Sequence, residues 1–110
     1  MSTLIADELP VGRSLKYTVN YTVDGTPVDL SVGYTLQVKL VSPDGVDIVD
    51  KMVTELFGDN LSFIVEITPA ESALATPSSR LYRVCNLLEN TTDGVSKEEN
   101  KSIKIVASCF

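Results

Sequence analysis

The sequence contains no histidine and no tryptophan. Without an imidazole, a serine or cysteine nucleophile lacks its ordinary general base, and a metal site lacks its commonest nitrogen ligand. The two cysteines, Cys85 and Cys109, are too few for a disulfide framework, and their spacing fits neither a C-x-x-C pair nor a zinc site. Two free thiols in a reduced compartment are expected, with a cross-strand disulfide as the alternative. No apolar run approaches the ~20 residues of a membrane span, so no membrane association is expected. Bases are scarce: nine Lys and Arg face fifteen Asp and Glu, a net charge of −6, which argues against a nucleic-acid footprint. The opening residues Met1 to Glu8 lack a basic stretch and place Asp7 and Glu8 where a signal peptide is apolar, so synthesis in the cytoplasm is expected. Glycines are scattered singly, so no phosphate-cradling loop is present. The acids of Asp44-Gly45-Val46-Asp47 do not supply the ligand spacing of a calcium loop and read as solvated turn carboxylates. No catalytic residue, cofactor site or metal site follows from the residues.

What is present is a period of two. With 110 residues the chain has room for one core. Leu15, Tyr17, Val19, Tyr21 and Val23 alternate with Lys16, Thr18, Asn20 and Thr22, the pattern of a strand with one buried face. Asp24-Gly25-Thr26-Pro27 ends that run as a turn. Tyr34, Leu36, Val38 and Leu40 repeat the alternation, and Ser42-Pro43-Asp44-Gly45 turns the chain again. Val46 to Phe57 reads as one broken or two short strands, and Gly58-Asp59-Asn60 as a third turn. Leu61, Phe63, Val65 and Ile67 form the next strand, and Leu81 to Leu88 and Ile103 to Val106 complete the set. Short alternating strands at this spacing, about seven in all, predict an all-β sandwich or small barrel. The tyrosines share the apolar parity, which assigns them to the core or its rim and not to a stacking platform.

Thr68-Pro69-Ala70-Glu71 breaks the period as a capping box, with Thr68 as N-cap, Pro69 at N1 and Glu71 at N3. A short helix near residues 69–75 is expected, with Leu74 plugging onto the core. Residues 1–11 read as an N-terminal arm or edge strand, and residues 12–110 as the β domain. The segment from Glu89 to Lys101 is the longest polar stretch and reads as a solvated hairpin loop, with a partner-binding loop as the alternative. Of the four sequons, at Asn20, Asn60, Asn90 and Asn100, three lie in or beside expected strands and turns, where such residues occur anyway.

Four stretches together resemble a known family. They are Asp24-Gly25-Thr26-Pro27-Val28-Asp29-Leu30, the strand Tyr34 to Lys39, Ile67-Thr68-Pro69-Ala70-Glu71-Ser72-Ala73-Leu74, and Arg80-Leu81-Tyr82-Arg83-Val84. From about Gly12 to Val106 the chain resembles the small immunoglobulin-like β-sandwich domains of tailed-bacteriophage structural proteins, which serve as baseplate, fibre-attachment or head-surface modules. One departure is Thr76-Pro77-Ser78-Ser79, where the family carries a glycine before its tyrosine strand, so a wider turn is expected there.

The resemblance implies a non-enzymatic virion component, made in the host cytoplasm, that packs in many copies against other capsid or tail proteins. A single small domain favours a head decoration, cement or accessory position over a tail, baseplate or fibre-attachment one. A carbohydrate-binding sandwich is the alternative from another class, disfavoured by the inward tyrosines. Partner contacts are expected through the arm, at Leu4 and Ile5, and through the polar segment, at Asp93, Lys97 and Glu98. No pocket, cofactor or metal enters this reading.

Overall fold

A computed structural model describes residues 2–3, 8–92 and 94–109, and 54% of them are strand against 4% helix. The all-β expectation holds at that level. Ten strands form: β1 (Ser2–Thr3), β2 (Glu8–Pro10), β3 (Leu15–Asn20), β4 (Thr22–Val23), β5 (Thr26–Pro27), β6 (Tyr34–Val41), β7 (Asp47–Val53), β8 (Ser62–Ile67), β9 (Tyr82–Asn90) and β10 (Ser96–Val106), with one helix, α1 (Pro69–Ser72), between β8 and β9. Strands β1-β3-β8 make one sheet and β2-β10-β9-β6-β7 another, while β4 and β5 pair apart from both. Among the described residues every strand pairing is antiparallel except β2 with β10, which is parallel.

The alternation places one face of each sheet on a shared core. Leu15, Tyr17, Val19, Phe63, Val65 and Ile67 from the first sheet join Leu36, Val38, Leu40, Val84, Ile103 and Ile105 from the second in one buried cluster. Burial on that scale supplies most of the favourable free energy of folding. One polar contact crosses the core. The Tyr17 hydroxyl donates to Asn86 Oδ1 at 2.5 Å across 69 residues of chain, and Asn86 Nδ2 donates to the Glu99 carbonyl at 3.3 Å.

Several expectations are corrected. The run from Leu15 to Val23 does not stay in one strand: β3 stops at Asn20, and Val23 is 47% exposed. Asp24 and Gly25 both take positive φ, 51° and 80°, the two-residue turn that suits a tight hairpin. That turn pairs Val23 with Thr26 and Thr22 with Pro27, away from the sheets. Between Asp47 and Val53 the strand is continuous, because Asp47 and Asp50 face solvent beside Lys39. The second piece expected there is a single bridge from Leu56 to Phe63, where the chain crosses to the first sheet.

The capping box forms as expected. Glu71 N donates to Thr68 Oγ1 at 3.2 Å, and Thr68 N donates to Glu71 Oε1 at 2.9 Å. Leu74 does not plug the core: it is 65% exposed, while Ser72 and Ala75 are buried. After one α turn the backbone tightens to i→i+3 bonds, Leu74 N to Glu71 O and Ala75 N to Ser72 O. That winding eclipses residues 72 and 75 on the inner face and turns Leu74 outward. Ser72 Oγ accepts from Gly12 N at 2.9 Å, which binds the helix to the first loop. The connection after it is closed by Tyr82, whose hydroxyl accepts from Thr76 N at 3.0 Å and donates to Thr76 O at 3.1 Å.

The described parts of the arm are short edge strands. Ser2 and Thr3 pair with Val19 and Thr18, and Glu8, Leu9 and Pro10 pair with Lys104, Ile105 and Val106. Leu9 is buried in the core, and β1 and β2 belong to different sheets.

Candidate interaction surfaces

The stretch from Glu89 to Lys101 is the hairpin expected, but its strands run on to Asn90 and resume at Ser96, so most of it is strand and not loop. Register runs from Ser96 opposite Glu89 to Ile103 opposite Tyr82. The turn between them is closed by Asn90 N to Val95 O at 2.8 Å and Gly94 N to Asn90 O at 2.9 Å. Polarity hid this pairing, because β9 brings the core side chains and the facing half of β10 is solvated on both sides. Lys97 lies opposite Leu88 and Glu98 opposite Leu87, so adjacent positions of one strand send them to opposite faces of the sheet. Both are exposed, and they do not form one site. Leu4, Ile5 and Asp93 lie outside the described residues.

Glu98 borders a shallow hollow of about 360 Å³ on the solvent face of the five-stranded sheet, floored by Val41, Cys85 and Leu87. Asp50, Lys39, Cys85 and Asn100 cross this face in one register row. Its charges are matched: Lys39 Nζ lies 3.1 Å from Asp47 and 3.9 Å from Asp50, and Gln37 Nε2 donates to Asp50 at 2.7 Å. The bond to Asp47 leads in holding the Lys39 ammonium above its usual range. Burial leads in pushing the Cys85 thiol up, against the pull of Arg83. Cys85 is therefore a protonated, weakly nucleophilic thiol at neutral pH. Both cysteines are free.

A second surface was not found in the sequence reading. Three connections meet at one end of the sheets: residues 21–33, 54–61 and 91–95. They are bonded to one another, Leu30 N to Asn60 O at 2.8 Å and Thr91 N to Gly33 O at 2.7 Å. Gly33 has a φ of 77°, and a Cβ there would meet Thr92 Oγ1 at 3.1 Å, so only glycine lets these connections approach so closely. The rings of Tyr21 and Tyr34 stand 6.5 Å apart at 55°. Tyr34 divides two hollows, one of about 100 Å³ bordered by Tyr21, Val23, Val95 and Lys97, and one of about 240 Å³ bordered by Leu30, Met52 and Leu56. The signal for this end was in the sequence: no Lys or Arg occurs from Tyr17 to Val38 or from Met52 to Ser79.

Among the described residues no group of three His, Cys, Asp or Glu side chains is placed to hold a metal ion. No family model, no curated protein and no solved structure matches the chain.

Proposed function

We propose that this chain is an immunoglobulin-like β-sandwich that serves as a non-enzymatic structural component of a tailed-phage particle, working in many copies against other virion proteins. The observation that carries the fold reading is the strand order together with Tyr82. The order β1-β3-β8 over β2-β10-β9-β6-β7 corresponds to an immunoglobulin-like arrangement in which the first strand is shared between the sheets. Tyr82 opens β9 and bonds back to the backbone six residues upstream, as the tyrosine corner of such domains does. The Tyr17–Asn86 bond joins β3 to β9, the two strands that antibody domains join by a disulfide.

The surface chemistry supports a structural role. Carboxylates of Asp47, Asp50 and Glu71 are engaged by Lys39 and Lys51, and the half-buried thiol is protonated. The phage assignment rests on the motif resemblance. An acidic surface keeps free subunits soluble before assembly. Quantitative mass spectrometry of purified particles, grown from the genome that encodes the chain, tests the reading. A fixed copy number in the tens per particle is expected. Particles lacking the protein, with infectivity unchanged when its gene is deleted, would overturn it.

A further inference from the structure

We propose that Asp24 is a site of spontaneous covalent modification. Its carboxyl condenses with the amide of Gly25 to a succinimide that reopens as isoaspartate, while the fold protects the other Asp-Gly pairs of the chain. The site is independent of the virion reading and needs no partner or cofactor.

Ring closure forms a bond between Gly25 N and Asp24 Cγ. One carboxyl oxygen leaves as water, taking the amide hydrogen and the carboxyl proton, so no oxidant or co-reactant enters. Water then reopens the ring at either carbonyl. Attack at Cγ restores aspartate, and attack at the main-chain carbon leaves the backbone running through Cγ, one carbon longer. A following glycine favours the closure because it has no Cβ to crowd the approach. Aspartate precedes glycine at positions 24, 44 and 93 and precedes larger residues elsewhere.

The nucleophile is available at the first pair only. Gly45 N donates to Ser42 O at 2.9 Å and Gly94 N donates to Asn90 O at 2.9 Å, whereas among the described residues Gly25 N donates to no backbone acceptor. An amide engaged as a donor has to give up that bond before its nitrogen can attack. The carboxyl is available there as well. Asp44 Oδ1 accepts from Arg80 Nη1 at 2.9 Å, and Arg80 Nη2 donates to Pro43 O at 3.1 Å, which fixes the second turn. Asp24 is exposed and makes no ion pair or hydrogen bond among the described residues.

Closure also requires rotation about the Asp24 backbone and side chain, and the fold permits it at this turn. Strands β4 and β5 are two residues each, exposed, and pair apart from both sheets, so their hairpin opens without disturbing the core. Asp24 sits at a φ of 51°, in the left-handed region that costs an L-residue energy, so leaving it relieves strain. The other two turns join strands of seven to eleven residues, β6 to β7 and β9 to β10, and those ladders hold them closed.

Storage of the full chain at 37 °C and pH 7, folded and in 8 M urea, tests this when followed by peptide mapping that separates aspartate from isoaspartate. In the folded chain isoaspartate should accumulate at residue 24 at least about tenfold faster than at 44 or 93, where held bonds must break first. The fragment carrying residue 24 should also yield a species one water lighter, the succinimide. In urea the three rates should come within about threefold of one another, because the turns that distinguish the sites are gone. Equal rates at the three sites in the folded chain would overturn the proposal. So would a preference for residue 24 that survives in urea, since local sequence and not the fold would then set it. Absence of isoaspartate at residue 24 in a folded sample, when the urea sample has formed it, would overturn the proposal too.

Discussion

Removing one oxygen atom from the centre of the core tests how the two sheets are held in register. In Tyr17→Phe the ring still fills its place among the buried residues, but the hydroxyl that donates to Asn86 Oδ1 at 2.5 Å is gone. Asn86 is 3% exposed, so water does not replace the lost donor. A buried acceptor left unsatisfied costs about 2 kcal/mol, and in a domain of this size that lowers the melting temperature by roughly 8–12 °C. Burial pushes the Tyr17 phenol far above its ordinary value, against the bond to Asn86 that pulls it down, so the group stays a donor throughout the ordinary pH range. Asn86→Leu should be at least as damaging, because it orphans the Tyr17 hydroxyl and also removes the donor to Glu99 O. The double variant Tyr17→Phe/Asn86→Leu leaves neither partner orphaned and should be more stable than the sum of the two losses allows. Coupling of about 1 kcal/mol or more between the sites is expected. Urea unfolding followed by circular dichroism gives all four stabilities. A Tyr17→Phe midpoint equal to wild type, or strictly additive losses in the double variant, would refute this account of the contact.

Thr68→Ala should lower stability by about 1 kcal/mol, because Glu71 N loses its acceptor, while Thr68→Ser should restore most of the loss in the same urea assay. Burial raises the Glu71 carboxyl, but the Lys51 ammonium and the Thr68 amide outweigh it and hold the group below its ordinary range. Its contribution is therefore complete above the unfolded carboxylate range, near pH 4.3, and is lost as pH falls through the lower folded value. Glu71→Gln should accordingly be less stable than wild type at pH 7 and approach it at pH 3; a pH-independent gap would contradict the linkage. Leu74→Asp should change stability by less than about 0.5 kcal/mol, since the side chain is 65% exposed; a larger loss would place it in the core.

The parts of the fold legible in the sequence are those decided locally. Alternation identified β3, β6 and β8 because each has one solvated and one buried face. The capping box was legible because its two bonds close within four residues. The elements that were missed depend on distant partners. Leu9 is buried because Glu8 to Pro10 pairs with Lys104 to Val106, nearly a hundred residues away, and a three-residue strand carries no periodicity of its own. Leu30 is buried in a connection, held by the bond from its amide to Asn60 O. The polar half of β10 has no apolar face to alternate, so only its pairing with β9 makes it a strand. The sequence pointed to a charged segment, whereas the fold gathers exposed valines and Phe57 from three separated connections. No local pattern reports that convergence.

The sheet edges are guarded against edge-to-edge pairing. Among the described residues, β7 closes one edge of the five-stranded sheet and β8 one edge of the other. Lys51 sits on β7 with its side chain turned toward β8, where Nζ donates to the Glu66 carbonyl at 2.5 Å and to Glu71 at 2.7 Å. One ammonium thus occupies a backbone acceptor that an incoming strand would need, and an inward charge on an edge strand opposes edge-to-edge pairing. On the solvent side of β7, Asp50 and Asp47 add like charge against a second copy of the same edge. Strands β1 and β2, of two and three residues, are too short to template a long ladder. A domain blunted in this way does not extend its sheets into a neighbour.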